Sequence, residues 1–200
     1  DSELFLKSNT VFEIETWTQP LHQLADEISM AISGKIPHST SPEPKQDARA
    51  LYLRGLYHWN RYTHEEMLLA IQYFKKSIKE DPEYALPYTG IADCYSVMAI
   101  MGHDNPKENF IEAKKYVNTA LTLNDKRSES YVAAAMVNIF YDKDFNQSQI
   151  NLNLALKLNK ESVKTLHMLA MHNAHIGEFT LAEKYSSHTI KLDPLSLPHY

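Results

Sequence analysis

The sequence predicts an all-α solenoid of helix–turn–helix repeats, preceded by a short segment of strand and helix. Three observations support this prediction. Glycine is scarce, with 5 residues in a chain of 200, and runs of β-branched residues are short. From residue 48 onward, Ala, Leu, Lys, Glu and Tyr recur at the spacing of α-helices. In addition, four segments of the chain end in the same pattern at a nearly constant distance, which is typical of a repeat architecture.

The first 47 residues differ in character from the rest. Apolar and polar residues alternate over 4–6 and 11–17, which is typical of one or two strands. Residues 20–32 begin with proline and place apolar side chains on one stripe, which predicts a helix. Prolines and Ser/Thr residues are concentrated between positions 34 and 47, and this composition predicts a linker.

The repeat domain is predicted to span residues 48–200. Segments 77–82, 120–125, 155–160 and 189–194 end alike, and their last positions lie 43, 35 and 34 residues apart. Small residues stand at matched positions in the paired helices, where they allow close packing. They are Gly55, Ala92, Ala135 and Ala170 in the first helices, and Ala70, Ala113, Ser148 and Ala182 in the second helices. The predicted repeats are 48–84, 85–127, 128–162 and 163–195, followed by the start of a truncated fifth.

This pattern resembles the tetratricopeptide repeat (TPR), a helix–turn–helix unit of about 34 residues. Pro82 and Pro194 stand at the ends of two units, where a proline stops the second helix because it cannot continue the hydrogen-bond ladder. The fourth unit has Gly177 at its internal turn. The second unit carries about nine extra residues around 101–109, which we expect to lie in a loop.

Two stretches narrow the resemblance. Residues 51–61 read LYLRGLYHWNR, and residues 84–102 read YALPYTGIADCYSVMAIMG. Both resemble repeats found in winged-helix transcription regulators of the enterobacterial invasion-activator and acid-response type. Related repeat regions stand behind adenylate-cyclase catalytic domains and in AraC-type regulators. Because a small α/β domain precedes the repeats in such proteins, the resemblance implies that residues 1–33 are the remnant of one.

The resemblance implies a regulatory or sensor region of a bacterial transcription regulator whose DNA-binding domain lies outside this chain. Two alternatives remain open: the regulatory region of an adenylate or guanylate cyclase-type enzyme, and a stand-alone TPR scaffold or chaperone. The chain opens at Asp1 and ends at Tyr200 as a fragment would, so we expect it to self-associate through its severed end or an orphan strand. Invasion-type relatives favour the cytoplasm, and acid-response relatives make the periplasm the alternative.

Composition excludes several classes of function. The net charge is −5, and residues 1–47 hold 8 acids against 3 bases, whereas residues 48–200 hold 17 of each. Such a neutral repeat region is unsuited to neutralising nucleic-acid phosphates, so no direct nucleic-acid contact is expected. No apolar stretch reaches the ~18 residues of a membrane span. Cys94 is the one cysteine, which excludes an internal disulfide and favours a reducing compartment.

No pattern for catalysis, a cofactor or a metal emerges. The segment 64–68 starts like a zincin motif but has Leu68 in place of the second histidine, so an acidic first turn of a helix after Thr63 is the better interpretation. His167, Met171 and His175 share one face of a helix without a carboxylate or thiol to complete a ligand set. Cys94 has no neighbouring base and is expected to be a buried spectator thiol. The chain is therefore predicted not to be an enzyme.

The predicted site is the concave wall, which the resemblance assigns to positions 2, 5, 9, 12 and 13 of each first helix. Its candidate residues are Tyr52, Trp59, Asn60, Thr89, Asp93, Val97, Met136, Phe140, His167, Met171 and His175. Leu56, Leu86, Val132 and Ile139 fall on the same positions. An exposed aromatic and methionine-rich wall favours a protein or peptide partner; the alternative is that several of these residues belong to the core between repeats.

The resemblance also implies which peptide is not bound. Arrays that dock chaperone tails clamp the terminal carboxylate with a set of Lys and Asn residues. The matching positions here hold Tyr52, Leu56 and Gly90. Docking of a chaperone tail is therefore not expected.

Overall fold

The computed structural model describes residues 44–194, and these residues form four successive pairs of helices. The helices are α1 (Gln46–Trp59), α2 (His64–Glu80), α3 (Ala85–Ile100), α4 (Pro106–Leu123), α5 (Ser128–Val137), α6 (Phe145–Leu158), α7 (Val163–His175) and α8 (Phe179–Leu192). A π-helical turn, Asn138–Asp142, extends α5. The all-α prediction is confirmed for this part of the chain.

The predictions for the first residues and for the fifth repeat fall outside the described residues. These are the strands at 4–6 and 11–17, the helix at 20–32 and the truncated repeat after residue 195. The chain divides at Pro42 into two units, and the described residues belong to the second. At the end of the predicted linker 34–47, Gln46 already belongs to α1.

The helix pairs stack so that the first helices form one wall. Each first helix packs on the second helix of its own pair, and successive first helices α1, α3, α5 and α7 contact one another. Each second helix also contacts the first helix of the next pair. The molecule is therefore a solenoid with an inner wall of first helices and an outer wall of second helices.

Small residues make the close contact between the walls possible. The Phe74 ring on α2 is fully buried, and a Cβ atom built on Gly55 or Gly90 would lie 2.3 or 2.7 Å from it. Nearby, the Ser77 hydroxyl donates a hydrogen bond of 2.6 Å to the carbonyl of Ala48. We call this contact, formed by Gly55, Ala70, Phe74, Ser77 and Gly90, the helix seam. It fixes the spacing of the first two pairs.

Caps and turns set the helix ends as the sequence predicts. The Thr63 hydroxyl accepts a hydrogen bond of 3.3 Å from the Glu66 amide, so the segment with the zincin-like start is the capped first turn of α2. Gly177 turns the chain between α7 and α8 with φ of 85°, a conformation that favours glycine. The expected loop around 101–109 is wrong in extent: 101–105 form the turn, whereas 106–109 are already helical, because Asn105 caps α4 and Pro106 fits its first position.

The π-helical turn is a feature that the sequence pattern did not predict. It continues α5 by five residues, Asn138–Asp142, and Lys143 ends it in the left-handed conformation with φ of 56°. Asp142 accepts a bond of 2.8 Å from Lys114, and Asn138 accepts one of 2.9 Å from Asn151. Phe140, which lies within this turn, lines the inner wall.

Candidate functional site

Two neighbouring cavities occupy the inner wall. The first, the aromatic cleft, has a volume of about 240 Å³ and is lined by Tyr52, Leu56, Trp59, Asn60, Phe74, Leu86, Thr89, Gly90, Asp93, Glu129 and Lys164. The second, the methionine groove, has a volume of about 430 Å³ and is lined by Trp59, Tyr62, Val97, Ile100, Met136, Phe140, Val163, Lys164, His167, Met168, Met171 and Asp193. Trp59 and Lys164 line both, so the two cavities adjoin.

An ion pair lies where the two cavities meet. The Lys164 ammonium on α7 donates to Oδ2 of Asp93 on α3, and the two residues stand 71 positions apart. Asp93 is 6% exposed, and its Oδ1 has no hydrogen-bond partner among residues 44–194. Burial raises the pKa of Asp93, and the Lys164 charge opposes that rise. The pair ties the second repeat to the fourth across the inner wall.

Aromatic rings form one side of the aromatic cleft. Tyr52 packs edge-on against Tyr84 with ring centroids 5.4 Å apart, and tilted on Phe74 at 5.7 Å. Burial raises the pKa of the Tyr52 hydroxyl, and the charges of Glu129 and Asp93 raise it further. Its phenol therefore stays protonated at neutral pH and can donate a hydrogen bond.

The methionine groove is walled by flexible and aromatic side chains. Val97, Phe140 and Met171 are half-buried, whereas Met136 and Met168 are buried. Trp59 and Tyr62 also line the groove, with their ring centroids 5.1 Å apart. Because thioethers adapt to differently shaped partners, such a surface accommodates apolar side chains of more than one shape.

The chain is similar to solved structures of TPR proteins. A TPR protein of Thermus thermophilus, TTC0263, matches with a TM-score of 0.63 at 16% identity, covering 90% of both chains. Yeast Tom70 matches with a TM-score of 0.52 at 18% identity over 91% of this chain and 40% of its own. The first TPR of Spaghetti (RPAP3), solved with the HSP90 peptide SRMEEVD, matches with a TM-score of 0.51 at 17% identity, covering 70% of this chain and 99% of that one. The chain has the TPR fold.

Sequence comparison finds similarity to bacterial transcriptional regulators. The transcriptional regulator HilA of Salmonella typhimurium is 23% identical over 148 residues, which are 74% of this TPR chain and 27% of the regulator. HilA of Salmonella typhi is also 23% identical over the same length. The chain thus spans about a quarter of the length of these curated relatives. It matches no protein-family model.

Most of the predicted site residues come together on the inner wall. Tyr52, Trp59, Asn60, Thr89 and Asp93 line the aromatic cleft, and Trp59, Val97, Met136, Phe140, His167 and Met171 line the methionine groove. His175 lines neither cavity; its ring packs edge-on against Phe140 at 5.1 Å, and its Nδ1 donates to the Met171 carbonyl at 2.8 Å.

Part of the predicted wall is core instead. Val132 and Ile139 are fully buried in a cluster with Leu152 and Leu169, because α6 and α7 close over that face of α5. Thr89 lines the cleft yet is 2% exposed, and its hydroxyl shares a hydrogen bond of 2.9 Å with Ser130 on α5. These positions therefore hold first helices together as well as lining the wall.

Two charged residues of the cleft, Glu129 and Lys164, are absent from the predicted set. Both stand at position 2 of their repeats, which is one of the wall positions of a TPR unit. The same positional rule that gave the other candidates could therefore have predicted them. The pairing of Lys164 with Asp93 has no local signal, because it depends on how three successive repeats stack.

The other residues considered for catalysis or metal binding lie in structural settings. Cys94 is fully buried, and burial followed by the Asp93 charge raises the pKa of its thiol, which keeps it protonated. His64 pairs with Asp104 at 3.0 Å. Within residues 44–194 no three His, Cys, Asp or Glu side chains converge to hold a metal ion. None of the helices in that range is both long and apolar enough to cross a bilayer.

Proposed function

We propose that this TPR region binds a segment of a partner protein along its inner wall. The observation that carries the proposal is the adjoining pair of cavities, with apolar side chains of Val97, Phe140 and Met171 left half-buried around the larger one. Apolar surface gathered in a concave wall favours a partner's side chains over water.

We further propose that the bound partner regulates transcription through a DNA-binding domain in the same protein. The match to the regulator HilA over 74% of the chain supports this proposal. The neutral charge of residues 48–200 suits a region that contacts protein instead of DNA. In this proposal the region is non-catalytic and works in the cytoplasm, where Cys94 stays reduced.

Selection of short peptides on the chain tests the binding proposal. A Trp59→Ala/Phe140→Ala variant is expected to lose at least about tenfold in affinity for the selected peptides, because both rings line the cavities. Phe179→Ala is the matched control, since Phe179 is 71% exposed on α8 and lines neither cavity. Far-ultraviolet circular dichroism should show unchanged helix content. A double variant that binds as well as the wild type would remove the inner wall as the site.

The gene sequence ahead of the codon for Asp1 tests the regulatory proposal. An encoded winged-helix domain, together with a promoter reporter that responds to the Trp59→Ala/Phe140→Ala variant in the full protein, is the expected result. A cyclase-type catalytic domain in that place, or a reporter indifferent to both substitutions, would contradict it.

A further inference from the structure

Among residues 44–194, the Asp93 carboxylate is a buried negative charge with one partner. It lines the aromatic cleft at 6% exposure, and within the described range Lys164 is the partner of Oδ2 while Oδ1 has none. A buried carboxylate is strongly destabilising without a counter-charge. The cleft must therefore hold a positive charge at this position whenever Asp93 is ionised.

The positive charge that now neutralises Asp93 belongs to Lys164, whose side chain can move out of the cleft into water. Lys164 reaches Asp93 from the other end of the inner wall, and its side chain is 36% exposed, compared with 8% for Asp93. An ammonium at the edge of a cavity can return to water at low cost, whereas the carboxylate on α3 cannot. In this ion pair, Lys164 can therefore be displaced, whereas Asp93 stays in the cleft.

The rest of the cleft is suited to a cation on an aliphatic stem. Of the described residues, the carboxylates of Asp93 and Glu129 and the ammonium of Lys164 line the cleft, so this part of the lining carries an excess of one negative charge. The rings of Tyr52 and Trp59 stand beside them. Aromatic faces attract ammonium and guanidinium groups, and they also cover the methylene stems of Lys and Arg.

We propose that the aromatic cleft receives a lysine or arginine side chain of the bound segment, which replaces Lys164 on the Asp93 carboxylate. The inference rests on the proposed function and specifies the chemistry of its partner. A segment without a cation has to leave Lys164 in the cleft or leave Asp93 unpaired, so the exchange selects basic segments. The neighbouring methionine groove then takes an adjacent apolar residue of the same segment.

The test uses short random peptides with blocked ends, so that neither terminus supplies a charge. Peptides selected on the wild-type chain are expected to be enriched in Lys and Arg. Replacing the basic residue of a selected peptide by norleucine or citrulline should weaken binding by at least about tenfold, measured by fluorescence anisotropy. Asp93→Asn should bring the charged and uncharged peptides to within about twofold of each other.

Lys164→Gln supplies an independent arm, because it removes the competing ammonium. It should tighten binding of the basic peptide several-fold and leave the norleucine peptide unchanged. Lys157→Gln, at an exposed lysine in the last turn of α6, is the matched control and should change neither. If Asp93→Asn loses its helical circular dichroism, the Lys164→Gln result decides: tightening supports the exchange, and unchanged affinity overturns it.

Failure of this inference is distinct from failure of the proposed function. Peptides that bind the inner wall but tolerate norleucine, or that keep their preference for a basic residue in Asp93→Asn, overturn the cation site and leave the binding proposal standing. A wild-type chain that selects no peptide overturns both.

Discussion

The helix seam and the inner wall are built by opposite rules. In the helix seam, Gly55 and Gly90 lie against the fully buried ring of Phe74, and a single added carbon would collide. On the inner wall, large residues such as Trp59 and Met171 remain half-buried around open cavities. The difference teaches that small residues set how closely the helices stack around one buried ring, while the large residues of the inner wall leave cavities open, which is where we propose that a partner binds.

The largest effect is expected at the centre of the helix seam. Phe74→Ala should lower the free energy of unfolding by about 3–5 kcal/mol, because it leaves a cavity between three helices. Urea denaturation followed by circular dichroism measures this loss. Phe179→Ala, at an exposed ring on α8, should change the free energy by less than about 0.5 kcal/mol. Equal losses in the two variants would contradict the distinction between helix seam and surface.

Substituting two methionines on α7 compares a core position with a wall position while the side chain removed stays the same. Met168 is 5% exposed, and Met171, one turn later, is half-buried; both line the methionine groove. Met168→Ala should therefore cost about 2–5 kcal/mol of unfolding free energy, and Met171→Ala about 1 kcal/mol. Denaturation midpoints of both variants provide the measurement. Peptide affinity should fall more for Met171→Ala than for Met168→Ala, because Met171 is the more exposed of the two. Unchanged peptide affinity in both variants would place the binding surface outside the methionine groove.

The tightness of the helix seam is tested by adding one methyl group. Gly55→Ala normally favours a helix, but here its Cβ would lie 2.3 Å from the Phe74 ring. We expect a loss of about 1–3 kcal/mol from overpacking. Combining it with Phe74→Leu should recover part of that loss, since the smaller side chain makes room. Additive costs in the double variant would show that the two residues do not compete for the same space.

The fold was predictable because its signals are local. The matched small residues recur at the repeat length, and Ala70, Ala113 and Ser148 are all fully buried where the pattern places them. Ala182, at the matched position of α8, is half-buried. Periodicity also brings most predicted wall residues to the two cavities, since all first helices present the same positions inward.

The features that the sequence did not predict depend on packing between repeats, and such packing cannot be inferred from a short window of sequence. Val132 and Met136 are one turn apart on α5, yet the first belongs wholly to the core and the second also lines the methionine groove. The π-helical turn Asn138–Asp142 has no periodic signature, although the repeat positions already assign Phe140 to the wall. The pairing of Lys164 with Asp93 joins residues 71 positions apart, so it depends on how the second, third and fourth repeats stack.

Two histidines of α7 extend the comparison to pH, with the smallest expected effect. His172 is 1% exposed and its Nδ1 lies 3.1 Å from the Ser148 hydroxyl, whereas His175 is exposed on the last turn. Burial, and secondarily the charge of His175, lowers the pKa of His172. The unfolded chain therefore takes up a proton first as the pH falls below about 6.5, and stability that is present above this pH is lost below it.

Melting temperatures at about pH 7.5 and about pH 5.5 measure this loss, in the range where an ordinary histidine titrates. His172→Gln should reduce the drop in melting temperature on acidification, because the buried ionisable ring is gone. His175→Gln should keep most of the drop, since burial of His172 is its larger cause. Equal drops in the wild type and His172→Gln would assign the acid sensitivity to other groups and leave the buried imidazole as packing alone.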